Sequence, residues 1–322
     1  MSFTLVPHTA GNDAKWDAFV AASRNGTFFH TRRFLAYHPE GRFADASLWV
    51  MDGANAVAVL PAAVKDNKLV AHPGASYGGL VLAPGVSVKD TGEILALLTE
   101  HAKAKKLAGM SFVRLTPQSI RQGFSDDQEY WMFQKGWTCT RFEMDGAIDA
   151  SALTEELLLG SLTGKCRNMV RQAERAGITV RVTDDWAGFW KILEATLTGR
   201  HGTKPTHTLE EIIKLTSLCP NDVRLFGAYK GDVLVGGIVV VTINAGALYT
   251  LYMAQDYAFQ KEHPMHMILT EVLKAAIREK RKTLHLGVST EDGGKVINEG
   301  LFFFKESFGC KPVRRESWEF TF

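Results

Sequence analysis

The chain has 322 residues, 46% of them hydrophobic and 22% charged, with a net charge of +2. Those values suit a soluble globular protein of one large or two ordinary domains, and they exclude a broadly basic nucleic-acid binder, so no stable DNA binding is expected. Cys139, Cys166, Cys219 and Cys310 form no Cys-x-x-Cys pair, no signal peptide is visible, and no apolar run reaches spanning length; the expected setting is the cytoplasm, without a membrane span.

Residues 13–22 read as a short helix with Trp16, Phe19 and Val20 on one face. Ser47–Met51, Ala56–Val64 and Lys68–Ala71 read as a strand meander broken at Asp52-Gly53 and Asp66-Asn67. A loop over 72–79 leads to a strand at Leu80–Leu82. Asp90 is the expected N-cap of the next helix, whose last turn is lysine-rich, as the helix dipole favours. A strand (Met110–Leu115), a helix (Gln128–Lys135) and a strand (Thr138–Met144) close the first half.

The second half repeats that order. A helix over Thr154–Gly177 is broken at Gly160 and Gly164, followed by strand Ile178–Val182 and helices Asp185–Thr198 and Leu209–Leu218. Arg224–Tyr229, Val233–Val241 and Ala247–Met253 form an antiparallel meander. Pro264 opens a helix with Ile268, Val272, Leu273 and Ala276 inward. Strand Thr283–Val288, helix Asn298–Phe308 and strand Arg314–Phe322 finish the chain.

Matching punctuation in the two halves, including Phe133/Trp137/Cys139 against Phe304/Phe308/Cys310, points to a duplicated unit. The expected fold class is α/β with mixed sheets, as two tandem domains over 1–150 and 151–322. The join falls near residues 145–155, where no strong pattern is visible.

Several residues carry candidate chemistry. Arg167, Arg171 and Arg175 recur at i, i+4 and i+8 as one cationic stripe, suited to phosphate oxygens or equally to solvent. Ser289 and Glu291 follow a strand end, where mixed sheets place ligand contacts; Glu291 is a candidate base or ammonium binder. His201, His207, His263, His266 and His285 crowd the second half. His207, in a polar loop before a helix, is a general-base candidate, with an unperturbed pKa of about 6.5. His263 and His266 lack a third ligand of standard spacing, so no metal is expected. His285 alternates within an apolar strand and suits either a ligand contact or the core.

Arg167-Asn-Met-Val-Arg-Gln-Ala-Glu-Arg-Ala-Gly-Ile-Thr-Val180 resembles the basic helix and strand of the FemABX-type aminoacyltransferases, which are tandem pairs of GNAT (GCN5-related N-acetyltransferase) folds. Leu284-His-Leu-Gly-Val-Ser-Thr290, Gly300-Leu-Phe-Phe-Phe-Lys-Glu-Ser-Phe-Gly309 and Thr27-Phe-Phe-His-Thr-Arg-Arg-Phe34 extend the resemblance over nearly the whole chain.

The resemblance implies transfer of an acyl or aminoacyl group, from acyl-CoA or aminoacyl-tRNA, to an amine on a cell-envelope precursor, an amino sugar or a peptide. It also implies a groove between the strand of Tyr252 and that of His285, a catalytic role for Lys305, and ligand contacts by Arg167, Arg171, Tyr252, His285, Ser289 and Asn298. The alternative is a non-catalytic duplicate that binds a nucleotide-sugar or a peptide. One departure stands out. Where CoA-using members carry an Arg/Gln-x-x-Gly-x-Gly/Ala loop, this chain reads Gln260-Lys-Glu-His-Pro-Met265, with no glycine and one backbone N–H fewer.

Overall fold

The computed structural model describes residues 3–322, the side chains of Arg200 and His201 excepted, so His201 lies outside the described residues. The chain forms two compact units. The first comprises residues 1–144, 290–296 and 314–322, the second residues 145–289 and 297–313.

The first unit begins with strand β1 (Phe3–Pro7) and helix α1 (Asp13–Ala22), then strands β2 (Leu48–Asp52), β3 (Asn55–Leu60), β4 (Ala63–Lys65) and β5 (Lys68–Ala71). Helix α2 (Val88–Ala104), strand β6 (Gly109–Phe112), helix α3 (Asp127–Gln134) and strand β7 (Thr138–Asp149) follow. Strand β7 runs straight through residues 145–149, which sequence patterning left without structure; its residues 145–148 are buried. The N-cap of α2 is Ser87 and not Asp90. Asp90 takes the N3 position of a capping box, its N–H donating to Ser87 Oγ at 3.1 Å while its carboxylate accepts from the Ser87 N–H at 3.3 Å.

Strands β5 and β6 pair in parallel from Lys68↔Gly109 to Ala71↔Phe112. Beyond that point the unit's own loop takes up the backbone groups: the N–H groups of Gly79 and Val113 both reach the Ala71 carbonyl at 3.0 Å, and Gly78 bridges to Leu115. Tyr77, fully buried, packs edge-on to Phe29 at 5.8 Å and fills the space. Residues Trp318–Thr321 pair antiparallel with β6 and complete this sheet.

The second unit carries helices α4 (Glu155–Ser161) and α5 (Gly164–Arg175), strand β8 (Ile178–Thr183), helices α6 (Trp186–His201) and α7 (Leu209–Leu218), and strands β9 (Val223–Lys230), β10 (Val233–Asn244) and β11 (Ala247–Gln255). Helix α8 (Pro264–Arg278), strand β12 (Thr283–Val288), helix α9 (Glu299–Glu306) and strand β13 (Lys311–Thr321) complete the chain. Its strands run antiparallel from β8 to β11, β11 then pairs in parallel with β12, and β12 pairs antiparallel with residues 145–149 of β7.

Thr163 caps α5, Asp185 caps α6 and Thr208 caps α7, each through a side-chain oxygen that satisfies an otherwise orphaned N–H. Helix α8 buries Ile268, Leu269, Val272, Leu273 and Ala276 against the sheet, with Leu248, Leu284 and Phe308 in the same core. Among the described residues, no helix is long and apolar enough to cross a membrane.

The capping box supplies a direct test. Ser87→Ala should cost about 1 kcal/mol of unfolding free energy in urea, and an unchanged midpoint would show that α2 does not depend on this cap.

Candidate active site

Strands β11 and β12 stay paired for only three residue pairs, ending at Tyr249↔His285, although β11 runs on to Gln255 and β12 to Val288. A bulge in β11 accompanies the separation: Thr250 faces Val240 and Tyr252 faces Val239, leaving Leu251 without an opposite number. A bulge bends its strand and increases local twist. Gly287, with φ of +72°, lets β12 turn away at the same level.

The fork opens into a cleft of about 1040 Å³. Its walls come from β11, the end of β12, the start of α8, the loop after α6 and the start of α9.

Tyr252, Asn298 and Lys305 line this cleft together. Lys305, 1% exposed, stretches from α9 so that Nζ donates to the carbonyls of Gly287 at 2.6 Å and Val288 at 2.9 Å. Its cationic head is thereby fixed at the end of β12. Asn298 caps α9, its Oδ1 accepting from the Leu301 N–H at 3.0 Å. The Tyr252 hydroxyl lies 2.7 Å from His207 Nδ1 and accepts from the His207 N–H at 3.3 Å; Trp190 stands edge-on to the Tyr252 ring at 5.5 Å. Burial pushes the Tyr252 phenol above its usual pKa, partly offset by the hydrogen bond from the His207 backbone.

The remaining candidates sit elsewhere. His207 is buried behind Tyr252 and reaches the cleft through it. His285 is fully buried in β12, with Nδ1 3.9 Å from the carboxylate of the equally buried Asp145. Ser289 is buried just past β12, and its carbonyl accepts from the Asn298 N–H. Arg171 and Arg175 are exposed on the solvent face of α5, opposite the buried Cys166, Val170 and Ala173. Arg167 is half-buried, its guanidinium donating to the Leu159 carbonyl at 3.2 Å. Glu291 is exposed and belongs to the first unit.

Sequence reasoning missed other cleft residues. Lys204 lies in the polar loop already singled out, Lys261 in a short 3-10 helix, and Thr250 within an apolar strand. Thr250 was legible as the one small polar side chain in Leu248-Tyr-Thr-Leu-Tyr252. Among the described residues lining the cleft, Lys204, Lys261 and Lys305 are the lysines.

The start of α8 has a particular geometry. His263 adopts a left-handed conformation at φ 54°, Pro264 takes the first helical position, and the N–H groups of His266 and Met267 turn back to the His263 carbonyl at 3.1 and 3.4 Å. Of the first three helical positions, Pro264 thus has no N–H and that of His266 is turned back into the chain, while Met267 makes the ordinary first helical bond.

Comparison with known proteins agrees with this architecture. Residues 161–293 match the family model described as an acetyltransferase (GNAT) domain. The chain is similar to FemX over 100% of its length and 98% of that protein's, with 15% identity and a TM-score of 0.75. It is similar to a tandem GNAT protein from the clavulanic acid biosynthesis pathway, covering 99% and 98% of the two chains with 13% identity and a TM-score of 0.59. L-PGS from Bacillus licheniformis is similar over 95% and 90%, with 12% identity and a TM-score of 0.61. No curated protein matches the sequence.

One cleft residue makes stability depend on pH. His266 is pushed down to a pKa of about 4, first by burial and then by the charges of His263 and Lys165. The unfolded chain therefore binds a proton near pH 6.5 that the folded chain refuses until about pH 4, so stability falls as pH drops through that window. His30 and His72 in the first unit, both also at about 4, act in the same direction. In urea melts, His266→Gln should lose less stability between pH 6.5 and 4 than the parent chain does; equal losses would refute the assignment.

Proposed function

We infer that this FemABX-like GNAT acyltransferase transfers an aminoacyl group from the 3′ end of an aminoacyl-tRNA, in preference to an acyl group from CoA, to an amine on a cell-envelope precursor, an amino sugar or a peptide. The observation that carries the choice of donor is the start of α8. A pyrophosphate needs free N–H groups at such a helix terminus. Here Pro264 has none, and that of His266 is turned back to the His263 carbonyl. Lys204 and Lys261, which line the cleft, suit a phosphate-bearing donor.

The chemistry asked of the site is modest. The amine nitrogen attacks the ester carbonyl, a tetrahedral oxyanion forms, the bond to the ribose oxygen breaks, and the proton lost by nitrogen ends on that oxygen. Most of the acceleration comes from holding the two partners in the fork, because positioning converts a bimolecular step into an internal one. Lys305 holds a fixed positive charge where the acyl carbonyl would enter, so the oxyanion is stabilised without rearrangement. Tyr252, kept protonated by its raised pKa, is placed to give a proton to the leaving oxygen, with His207 as its reserve. Arg167, Arg171 and Arg175 offer the donor's phosphates a basic surface on α5.

The assay uses purified chain, labelled aminoacyl-tRNA and labelled acyl-CoA in parallel, each with a panel of amines. Transfer should come from the tRNA and vanish after ribonuclease treatment. Tyr252→Phe should lower kcat by about ten- to a hundredfold, and Lys305→Met by at least as much. Ribonuclease-resistant transfer from acyl-CoA would overturn the choice of donor. Undiminished turnover in Tyr252→Phe would remove that residue from the chemistry.

A further inference from the structure

Among the described residues lining the cleft is a buried polar side chain that the resting protein leaves unused. Thr250 is the first residue of β11 past its last pair with β12, it is 3% exposed, and it lines the cleft. Its Oγ1 is buried and has no hydrogen-bond partner. Three polar side chains that line the same cleft are engaged: Tyr252 by His207, Lys305 by two carbonyls, Asn298 by the turn it caps.

A buried hydroxyl without a partner is costly, because folding removes it from water and returns nothing. Valine has nearly the same shape and an equal liking for strands, and the strand facing Thr250 supplies Val239, Val240 and Val241. A purely structural position of this kind would be served better by an apolar side chain. The penalty disappears when an occupant of the fork brings a hydrogen-bonding group to the point of separation.

We propose that Thr250 is a binding residue of the fork whose hydroxyl donates to the carbonyl oxygen of the acyl group being transferred. The inference rests on the acyl-transfer reading above. A ribose or phosphate further out would not reach the strand divergence, whereas the acyl carbonyl must come there to meet the charge of Lys305. Thr250 thus selects donors whose acyl carbonyl sits at the depth of the bulge, and it holds that carbonyl while Lys305 takes the developing charge.

The test compares Thr250→Val and Thr250→Ser with the parent chain in two readouts, thermal melting of the free protein and kcat/KM for donor in the transfer assay. Thr250→Val should melt no lower than the parent yet lose about tenfold or more in kcat/KM, and Thr250→Ser should recover most of that loss. A lower melting temperature for Thr250→Val would mean the hydroxyl already has a structural partner, which overturns the proposal. An active parent with an equally active Thr250→Val overturns it as well, leaving the acyl-transfer reading intact. A parent inactive with every donor defeats that reading and takes the proposal with it.

Discussion

Two parallel strands that separate after three pairs leave backbone groups needing partners, and how those groups are satisfied decides what each unit can do. In the second unit the Lys305 ammonium takes the carbonyls of Gly287 and Val288. An unpaired buried carbonyl is expensive, so the fork can stay open only because a side chain closes the account locally. The same hydrogen bonds fix the Lys305 head group at the end of β12. One interaction therefore keeps the groove open, anchors α9 to the sheet and supplies the site with its charge.

The first unit meets the same demand differently. Its parallel pair, β5 and β6, ends at Ala71 and Phe112, and the chain then folds back so that Gly79 and Val113 both donate to Ala71. Tyr77, in the loop that folds back, is fully buried and packs edge-on to Phe29. Backbone satisfied by backbone gives a sealed core; backbone satisfied by a lysine gives a groove. A duplicated architecture thus carries one open fork and one that its own loop has laced shut.

Much of this was legible in the residues. Alternation and period placed nearly every helix and strand of the second unit, because Val233–Val241 and the Ile268/Val272/Ala276 stripe leave little choice. The strand through 145–149 was not legible, since Asp145-Gly-Ala-Ile-Asp149 has neither a strong alternation nor a β-branched run; tertiary pairing with β12 decides it. Ser87 lost the cap to Asp90 in sequence because both residues suit that position and only the geometry tells them apart. Of the candidate site, Tyr252, Asn298 and Lys305 converge on one cleft. Arg171 and Arg175 of the arginine stripe face solvent on α5 while Arg167 is held by a backbone carbonyl, and the pairing of His207 with Tyr252 spans 45 residues that no local pattern relates. The lone threonine in an apolar strand was visible, but its orphaned hydroxyl becomes apparent only where the strands part.

The unit that comes first in the chain includes residues 318–321, which pair with β6 and bring Glu319 to 2.8 Å from Lys68. During synthesis, β6 therefore leaves the ribosome with an open edge and keeps it until some two hundred further residues have been translated. Vectorial order offers this protein no early finished half, so the nascent chain must shelter that edge, by a chaperone or by transient packing of its own, for the whole time the second unit is being made.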